Sequence, residues 1–456
     1  MLAILRCTLG YMNDPHHRRI LCLLLLALLP MAQVQAQSEP NPEADAPVVV
    51  AQENVAGDDD NTAASPSSDP AATLPGQEST EAPVVDGPRA VRILGVEVLP
   101  GSRRQLGWDS RYHFAGLSTP TPVLVAHGRR EGPTLCLTAA LHGDELNGIE
   151  IVRRVLHGLD PEELRGTVIG VPIVNLMGFQ RNSRYLPDRR DLNRAFPGST
   201  TGSLAARTAH SLFEQVIRHC DRLVDLHTGS FHRTNLVQLR ANLRDPEILQ
   251  MTRGFGAIAV LHSSGIKGSL RRAATDIGIP SVTLEIGEPM RLQAKQVETG
   301  VKGIQSLMDQ MGMVASSWRW STPQPVYYRS QWVRANQGGI LFSLVKLGDQ
   351  VNKGRLLATI TDPVTNERSI IEAPFAGQIL GMAVNQVVMP GFAAFRIGVP
   401  TSGKKADQIP ADLPAEEEHD ADANDPEPQD SSPSNDSSQA AREENIGETL
   451  ADSVDD

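Results

Sequence analysis

The chain has 456 residues, of which 40% are hydrophobic, so it is long enough for two or three domains with sizeable cores. Its net charge of −12 is unevenly distributed, because residues 37–87 hold eleven acidic and no basic side chains, and residues 407–456 hold seventeen acidic side chains and one arginine. Residues 88–406 carry 38 basic and 25 acidic side chains, a net charge of +13. These counts exclude a uniformly acidic globular protein, and four cysteines are too few for a disulfide-dense scaffold.

The first 36 residues have the pattern of an export signal. A cationic segment at residues 16–19 precedes an apolar run at residues 20–29, and a small-residue cleavage site follows at residues 34–36. Ten apolar residues are too few to cross a bilayer, which needs about 20. We therefore expect a cleaved signal peptide over residues 1–36, a periplasmic or secreted protein and no stable membrane insertion. A short uncleaved anchor is the alternative.

Two segments have the composition of disordered chain. Residues 37–87 and 403–456 are rich in Ala, Pro, Asp, Glu and Ser and contain no aromatic residue, which predicts a disordered acidic linker and a disordered acidic tail. After signal cleavage the remaining cysteines are Cys136 and Cys220. Both lie in apolar strand-like or helix-end settings, so we expect buried free thiols.

Residues 88–320 alternate between strand-like and helix-like patterns. Buried strands are predicted at residues 123–126, 134–141, 167–174, 223–226, 234–239, 257–261 and 281–286. Helical periodicity is found at residues 146–159, 204–217 and 293–311. This alternation predicts an α/β domain with ligands at the strand ends. From residue 321 to 402 the pattern changes to short β-like runs separated by Gly, Asp, Asn and Pro, which predicts a small all-β, barrel-like domain.

A possible metal-binding pattern follows two of these strands. His142 and Glu145 come directly after the apolar run that ends at Leu141, and His227 stands at the end of a later strand. Zinc binds imidazole nitrogen and carboxylate oxygen, and a catalytic site keeps one position for water. A single His-x-x-Glu pattern is common by chance, and an isolated histidine is more often an ordinary buried core residue.

A carboxylate and a basic segment complete the pattern. Glu285 interrupts the apolar strand at residues 281–286, and a buried carboxylate is costly unless it is paired or used, for instance as a general base. Residues 184–194 contain four arginines with a proline, which predicts a loop. Guanidinium groups bind carboxylates in two places, so this loop is either an anion-binding loop or a solvated basic one.

Together these residues resemble a known family. The matching motifs are His142-x-x-Glu145, Asp191-Leu192-Asn193-Arg194, Asp225-Leu226-His227-Thr228-Gly229 and Glu285-x-Gly287. Their order and spacing are similar to those of the succinylglutamate desuccinylase/aspartoacylase family, zinc-dependent relatives of the metallocarboxypeptidases. The resemblance extends over roughly residues 90–400. It implies a carboxypeptidase-like α/β/α sandwich around a mixed sheet, plus a small C-terminal all-β domain.

The resemblance also implies roles for individual residues. One zinc ion per chain would be bound by His142, Glu145 and His227, with Glu285 as the general base. Arg184 would polarise the scissile carbonyl, and the substrate would be bound by Asn193, Arg194 and Arg271. The C-terminal segment is similar to biotinyl or lipoyl barrels, but its turn at residues 361–368 contains no lysine, so a modified-lysine carrier is not expected.

The predicted function is zinc-dependent hydrolysis of an amide bond in an N-acyl amino acid or a related small anionic substrate. The export signal and acidic tails differ from what the cytosolic catabolic members imply. Two alternatives therefore stay open: an exported zinc carboxypeptidase or peptidoglycan-fragment amidase, and a non-catalytic envelope protein. A nucleic-acid partner is not expected, because aromatic residues make up only 4% of the chain and no basic stripe contains stacking residues.

Overall fold

Strands and helices alternate through the first two thirds of the described chain, and strands alone follow. The computed structural model describes residues 88–109, 119–315, 324–384 and 386–401, all within a unit that spans Glu81–Asp456. The predicted signal peptide, acidic linker and acidic tail lie outside these residues. None of the described helices is long and apolar enough to cross a membrane.

The elements agree with the predicted strands and helices in type, with boundaries shifted by a few residues. The strands are β1 Val91–Ile93, β2 Val96–Val98, β3 Ser102–Trp108, β4 Thr121–His127, β5 Arg130–Ala139, β6 Arg165–Val171, β7 Arg222–His227, β8 Arg233–Ala241, β9 Ala259–His262, β10 Ser281–Gly287, β11 Val326–Arg334, β12 Gly339–Ser343, β13 Gln350–Val351, β14 Leu356–Thr361, β15 Arg368–Glu372, β16 Gly377–Ala383, β17 Gln386–Val388 and β18 Ala393–Thr401. The helices are α1 Asn147–Gly158, α2 Leu176–Phe179, α3 Leu204–Gln215, α4 Pro246–Arg253, α5 Leu270–Asp276 and α6 Ala294–Gln310.

A mixed sheet of twelve of the described strands forms the centre of the structure. Its order is β13-β16-β18-β11-β9-β8-β10-β7-β5-β6-β4-β3. Strands β6, β5, β7 and β10 run parallel to one another, whereas β8 pairs with β10 in the antiparallel direction. The carboxyl ends of β5, β7 and β10 therefore meet at one edge of the sheet, which is where ligands bind in α/β folds.

Helices cover both faces of the sheet. On one face, α1, α4 and α6 pack their apolar sides against strand residues such as Leu135 and Leu137. On the other face, α3 and α5 pack against a second cluster that contains Cys136. Successive strand residues point to opposite faces, so a strand buried on both faces reads as a continuous apolar run. This explains why residues 134–141 are mostly apolar.

A polar side chain caps the N-terminus of helices α3, α4 and α5. The side chain of Ser203 accepts a hydrogen bond from the Ala206 amide at the start of α3. Asp245 caps α4, which has proline at its first turn, and Ser269 caps α5. Each side chain satisfies an amide that the first helical turn leaves without a partner. Helices α4 and α5 were not predicted from the sequence, because their eight and seven residues are too short for a clear apolar period.

Every described element after Val326 is a strand. Strands β11, β13, β16 and β18 extend the central sheet, whereas β12, β14, β15 and β17 form a separate four-stranded sheet. An apolar cluster that includes Leu341, Leu357 and Ile397 lies within this C-terminal segment. Strand β16 also pairs with β8, so the segment is hydrogen-bonded to the strand that neighbours β10. The predicted domain boundary at residue 321 is not tested by this strand pairing and stays a prediction.

The expectation of free thiols at Cys136 and Cys220 is wrong. A disulfide joins these residues across a sequence separation of 84, with their Cα atoms 5.7 Å apart. Cys136 lies in β5, and Cys220 lies two residues before β7, the neighbouring parallel strand. The pairing of β5 with β7 brings two buried cysteines together that look unrelated in the sequence.

Candidate functional site

Three neighbouring strand ends carry the predicted site. His142 and Glu145 lie in the turn that leads from β5 to α1, and His227 is the last residue of β7. Glu285 in β10 is the register partner of His227 in the parallel pairing. Gly143 allows the turn to pack closely, because a Cβ atom there would lie 2.1 Å from the backbone carbon of Gly178. The sheet thus brings together residues that are up to 143 positions apart.

The two histidines and Glu145 form a buried cluster of donor atoms. Glu145 Oε1 lies 2.8 Å from His142 Nδ1, and Glu145 Oε2 lies 3.0 Å from His227 Nδ1. The two Nδ1 atoms are 3.2 Å apart. All three side chains are at least nine-tenths buried, and together they could hold one metal ion.

The opposite ring nitrogens are held by two aspartates. His142 Nε2 lies 3.1 Å from Asp191 Oδ1, and His227 Nε2 lies 2.8 Å from Asp225 Oδ2. Asp225 also accepts a hydrogen bond of 2.7 Å from the Thr138 hydroxyl, in the neighbouring strand β5. A carboxylate on the far nitrogen fixes the tautomer and orientation of a metal-binding histidine, so both rings present Nδ1 to the same point.

The charges of the cluster determine its protonation. Burial lowers the pKa of His227, but the carboxylates of Asp225 and Glu145 raise it well above the ordinary histidine value. Burial and the Arg184 guanidinium lower the pKa of His142, and neighbouring carboxylates including Glu145 raise it on balance. Burial raises the pKa of Glu145, whereas His142 and His227 hold it well below its ordinary value. Glu145 is therefore ionised, as a metal ligand must be.

The donor set fits zinc. Two imidazole nitrogens and one carboxylate, with a fourth position for water, are the ligands of many catalytic zinc sites. Ligands about 2.1 Å from a tetrahedral zinc ion lie roughly 3.4 Å from one another. The separations of 3.0 Å and 3.2 Å from His227 Nδ1 to Glu145 Oε2 and His142 Nδ1 are close to that value.

Glu285 lies in the same cavity as the donor cluster. Its Oε1 atom is 3.2 Å from Nε of Arg240, and its Oε2 atom accepts a hydrogen bond of 3.0 Å from Nδ2 of Asn235. Both partners belong to β8, which neighbours β10 in the sheet. Sequence analysis did not identify either partner, because neither stands in a recognisable motif.

Arg184 reaches from the arginine-rich segment into the cluster. It is buried, and its guanidinium pairs with Asp191 at 2.8 Å. The other terminal nitrogen lies 3.2 Å from His142 Nδ1 and 3.5 Å from Glu145 Oε1. The cation therefore lies next to the atoms that would hold a metal, where it can face a polarised carbonyl group.

The other predicted substrate-binding residues line the same cavity. Asn193 accepts a hydrogen bond of 2.8 Å from the Leu270 amide, and the Arg194 guanidinium donates to the Asn193 carbonyl at 3.0 Å. Arg271 is buried and donates to the carbonyl and hydroxyl oxygens of Ser263. The structure thus brings all eight predicted site residues together in one cavity.

The cavity is strongly cationic. Among the described residues that line it, five are arginines and two carry carboxylates. The arginines are Arg184, Arg194, Arg233, Arg240 and Arg271, and the carboxylates are Glu145 and Glu285. A pocket lined mainly with one sign of charge concentrates ligands of the opposite sign.

The C-terminal strands contribute one wall of the cavity. Trp332 in β11 lines it, and the Arg233 guanidinium lies 5.2 Å from the Trp332 ring and 5.3 Å from the Phe392 ring. A guanidinium held over aromatic faces gains a cation–π attraction of about 0.5–2 kcal/mol each. This arrangement was not predicted, because only the pairing of β16 with β8 brings these residues together.

Three comparisons with known proteins agree with this geometry. Residues 131–311 match the family model of the succinylglutamate desuccinylase/aspartoacylase catalytic domain. A curated relative, the N-alpha-acetyl-L-2,4-diaminobutyric acid deacetylase of Halomonas elongata, is 28% identical over 254 residues, which are 53% of this chain and 74% of that enzyme.

Solved structures share the fold. A succinylglutamate desuccinylase from Silicibacter sp. TM1040 aligns with a TM-score of 0.58 at 24% identity, over 65% of this chain and 93% of that one. A succinylglutamate desuccinylase/aspartoacylase from Rhodobacter sphaeroides gives 0.60 at 23% identity, over 69% and 100%. The ectoine utilization protein EutE (DoeB) from Ruegeria pomeroyi gives 0.60 at 23% identity, over 65% and 95%.

The resemblance seen in the sequence motifs is confirmed by the family match, which covers His142, Glu145, His227 and Glu285. Over residues 131–311 the chain is similar to the catalytic domain of the succinylglutamate desuccinylase/aspartoacylase family.

Proposed function

We propose that the protein is a zinc-dependent hydrolase that cleaves the amide bond of an N-acyl amino acid or a related small anionic substrate. The observation that carries this proposal is the convergence of His142 Nδ1, His227 Nδ1 and Glu145 in one cavity with Glu285. The family match and a relative that is named as a deacetylase of an N-acetylated amino acid support it.

One zinc ion per chain would be held by His142, Glu145 and His227. When bound, zinc supplies Lewis acidity, which lowers the pKa of a water molecule and polarises a carbonyl group. Asp191 and Asp225 hold the two rings through hydrogen bonds to the Nε2 atoms, which leaves both Nδ1 atoms available to bind the metal.

The remaining steps rely on side chains of this chain. Glu285 accepts the proton of the attacking water and then passes it to the leaving amine, as a general base and acid. Arg184 faces the carbonyl oxygen and stabilises the negative charge that develops there in the transition state. Because Arg184 is buried, little water screens this interaction.

The substrate's carboxylate would be bound by Asn193, Arg194 and Arg271. Arg194 and Arg271 can each grip a carboxylate with two donors. The side-chain oxygen of Asn193 accepts a hydrogen bond from the Leu270 amide. This bond fixes the orientation of the side-chain amide, including its Nδ2 atom. The excess of arginine in the cavity supports an anionic substrate.

The finer description of the fold is part of the proposal. We infer a carboxypeptidase-like α/β/α sandwich over residues 88–320, because helices pack on both faces of the mixed sheet. The segment 321–402 would be a small all-β domain, supported by its own apolar cluster and by the finding that strands are the only elements among its described residues.

We further propose that the protein works outside the reducing cytoplasm, in the periplasm or as a secreted protein. The sequence of residues 1–36 supports a cleaved signal peptide. The disulfide between Cys136 and Cys220 adds independent support, because such bridges form and persist in oxidising compartments.

A second candidate function follows from the same features. An exported zinc carboxypeptidase, or an amidase that acts on peptidoglycan fragments, would use the same metal residues and base. Arg194 and Arg271 would then bind the C-terminal carboxylate of a peptide. The disulfide favours this candidate, because peptide fragments of the cell envelope are available to an exported enzyme.

The test is amine release by the purified, zinc-loaded mature protein over one mixed panel. The panel contains N-acetyl, N-succinyl and N-aspartyl-type acyl amino acids, together with short peptides that have free C-termini. Hydrolysis of the acyl amino acids is expected. Hydrolysis of peptides alone would move the assignment to the carboxypeptidase or amidase, and inactivity on both, with no bound metal, would favour a non-catalytic envelope protein.

Two variants test whether the measured activity comes from the candidate site. Arg244→Gln changes an exposed arginine outside the cavity and should match the wild type. His227→Ala removes one of the three metal-binding side chains and should lose both zinc and activity. Equal activity of the His227→Ala variant would show that the measured hydrolysis does not depend on the proposed metal-binding residues.

A further inference from the structure

The carboxylate of Glu285 is held from both sides by the neighbouring strand. Asn235 Nδ2 donates to Oε2 at 3.0 Å, and Arg240 Nε lies 3.2 Å from Oε1. Asn235 is only 3% exposed, so water competes little for its amide. A hydrogen bond to a charged group is stronger than one between neutral groups, so it restricts rotation of the carboxylate.

An irregularity in the sheet places Asn235 beside Glu285. In the antiparallel pairing of β10 with β8, Glu285 is opposite Gln238 and Gly287 is opposite Asn235. Strand β8 therefore spans three residues where β10 spans two, which is the geometry of a β-bulge. Bulges occur next to active sites, where they redirect a side chain.

The C-terminal strand β16 fixes Asn235 from the other side. Gly381 of β16 is the register partner of Asn235. A Cβ atom at Gly381 would lie 2.7 Å from Oδ1 of Asn235 and 3.4 Å from Cη2 of Trp332. Only glycine therefore leaves room for the Asn235 amide in its present orientation.

We propose that Asn235 is a positioning residue for Glu285, and that strand β16 of the C-terminal segment holds Asn235 in place through Gly381. This inference rests on the proposed role of Glu285 as the base. Asn235 is neutral, so it orients the carboxylate without adding a second positive charge beside Arg240. The C-terminal segment thereby contributes to proton transfer, although it supplies none of the metal-binding residues.

The test compares kcat, KM and zinc content of Asn235→Ala, Asn235→Ser and Gly381→Ala. Removing the amide should lower kcat at least about tenfold, because general base catalysis depends on the position of the carboxylate. KM and zinc content should stay within about twofold of the wild type, since neither substrate binding nor the metal residues are changed. Serine keeps a hydroxyl donor and should restore part of kcat, and Gly381→Ala should lower kcat without removing any polar group.

Gln238→Leu is the matched control. Gln238 lies in the same strand, is fully buried, and its side-chain amide makes no hydrogen bond among the described residues. This substitution should leave kcat unchanged.

The possible outcomes separate the two hypotheses. Full kcat in Asn235→Ala, with an active wild type, would overturn this inference alone. Equal losses of kcat, zinc and thermal stability in all three variants, without rescue by serine, would show a merely structural role and would also overturn it. A wild-type protein that is inactive on every substrate of the panel would contradict the proposed function and, with it, the role of Asn235.

Discussion

His142 and His227 face each other through their Nδ1 atoms at 3.2 Å, while each ring directs its Nε2 atom to an aspartate. Two imidazole nitrogens at this separation are mutually compatible when a cation lies between them or when one carries a proton. Protons and metal therefore compete for the same atoms.

Zinc binding to the metal-free protein should release protons and should weaken as the pH falls. Neighbouring carboxylates raise the pKa of His227 well above its ordinary value and also raise that of His142. Below these raised pKa values the rings are protonated, and only neutral imidazole binds zinc. Calorimetry in two buffers with different ionisation enthalpies would measure the proton release, with the exposed His219→Ala variant as control. A zinc affinity that does not change with pH would contradict the assignment of the metal-binding residues.

Asp225→Ala should weaken zinc binding about 10–100-fold, the usual cost of removing a carboxylate behind a metal-binding histidine. The hydrogen bond of 2.8 Å to Nε2 fixes the orientation of His227. Thr138→Val, which removes the hydroxyl behind Asp225, should have a smaller effect in the same direction. Competition with a chelator of known affinity would measure both, and unchanged affinity in Asp225→Ala would remove the aspartate from the site.

Glu285→Gln should keep zinc and lose at least about 100-fold in kcat, because glutamine cannot accept the proton. Glu288→Gln is the matched control, since Glu288 lies just beyond the end of β10 and pairs with the exposed Arg291. Metal analysis and steady-state kinetics on one preparation separate the two effects. Full turnover by Glu285→Gln would require another base.

Arg194→Gln should lower kcat/KM about 10–100-fold for anionic substrates, mainly through KM. The loss of a charge-assisted hydrogen bond of about 1.5–3 kcal/mol gives this range. The exposed Arg244→Gln variant controls for the change in net charge. The same measurement with an amidated substrate should show a much smaller effect, and an equal loss with both substrates would mean that Arg194 does not bind the carboxylate.

Reduction of the disulfide should destabilise the protein by about 4–5 kcal/mol, the loop-closure contribution for a loop of this length. The two cysteines are 84 positions apart in the sequence, and the loop that the bridge closes contains His142, Glu145 and Arg184. Thermal unfolding with and without a reductant would show the loss. The Cys136→Ala/Cys220→Ala double variant should be insensitive to reductant, and an identical response of both proteins would show that the bridge is absent in solution.

The clustering of the three candidate metal-binding residues could be predicted because the information is local. His142 and Glu145 directly follow a strand that is apolar on both faces, and His227 ends another. In parallel strands the carboxyl ends meet at one edge, so position along the chain indicates position in space. The long helix α6 and the apolar strands could be predicted because their apolar patterns are also local.

The partners of Glu285 could not be predicted in this way. Asn235 and Arg240 lie on β8, which follows β7 in the chain but is separated from it in the sheet by β10. This strand order depends on packing over the whole sheet and leaves no local signature. The disulfide escaped prediction for a related reason, since only the pairing of β5 with β7 brings Cys136 and Cys220 together.

The family match begins within β5 and ends just after α6, but the sheet continues on both sides of that range. A fragment limited to residues 131–311 would lose the strands that cover β6 on one side and β8 and β9 on the other. Open strand edges pair readily with other chains, so such a fragment would tend to aggregate. The range of the family match is therefore narrower than the sheet whose outer strands cover these edges.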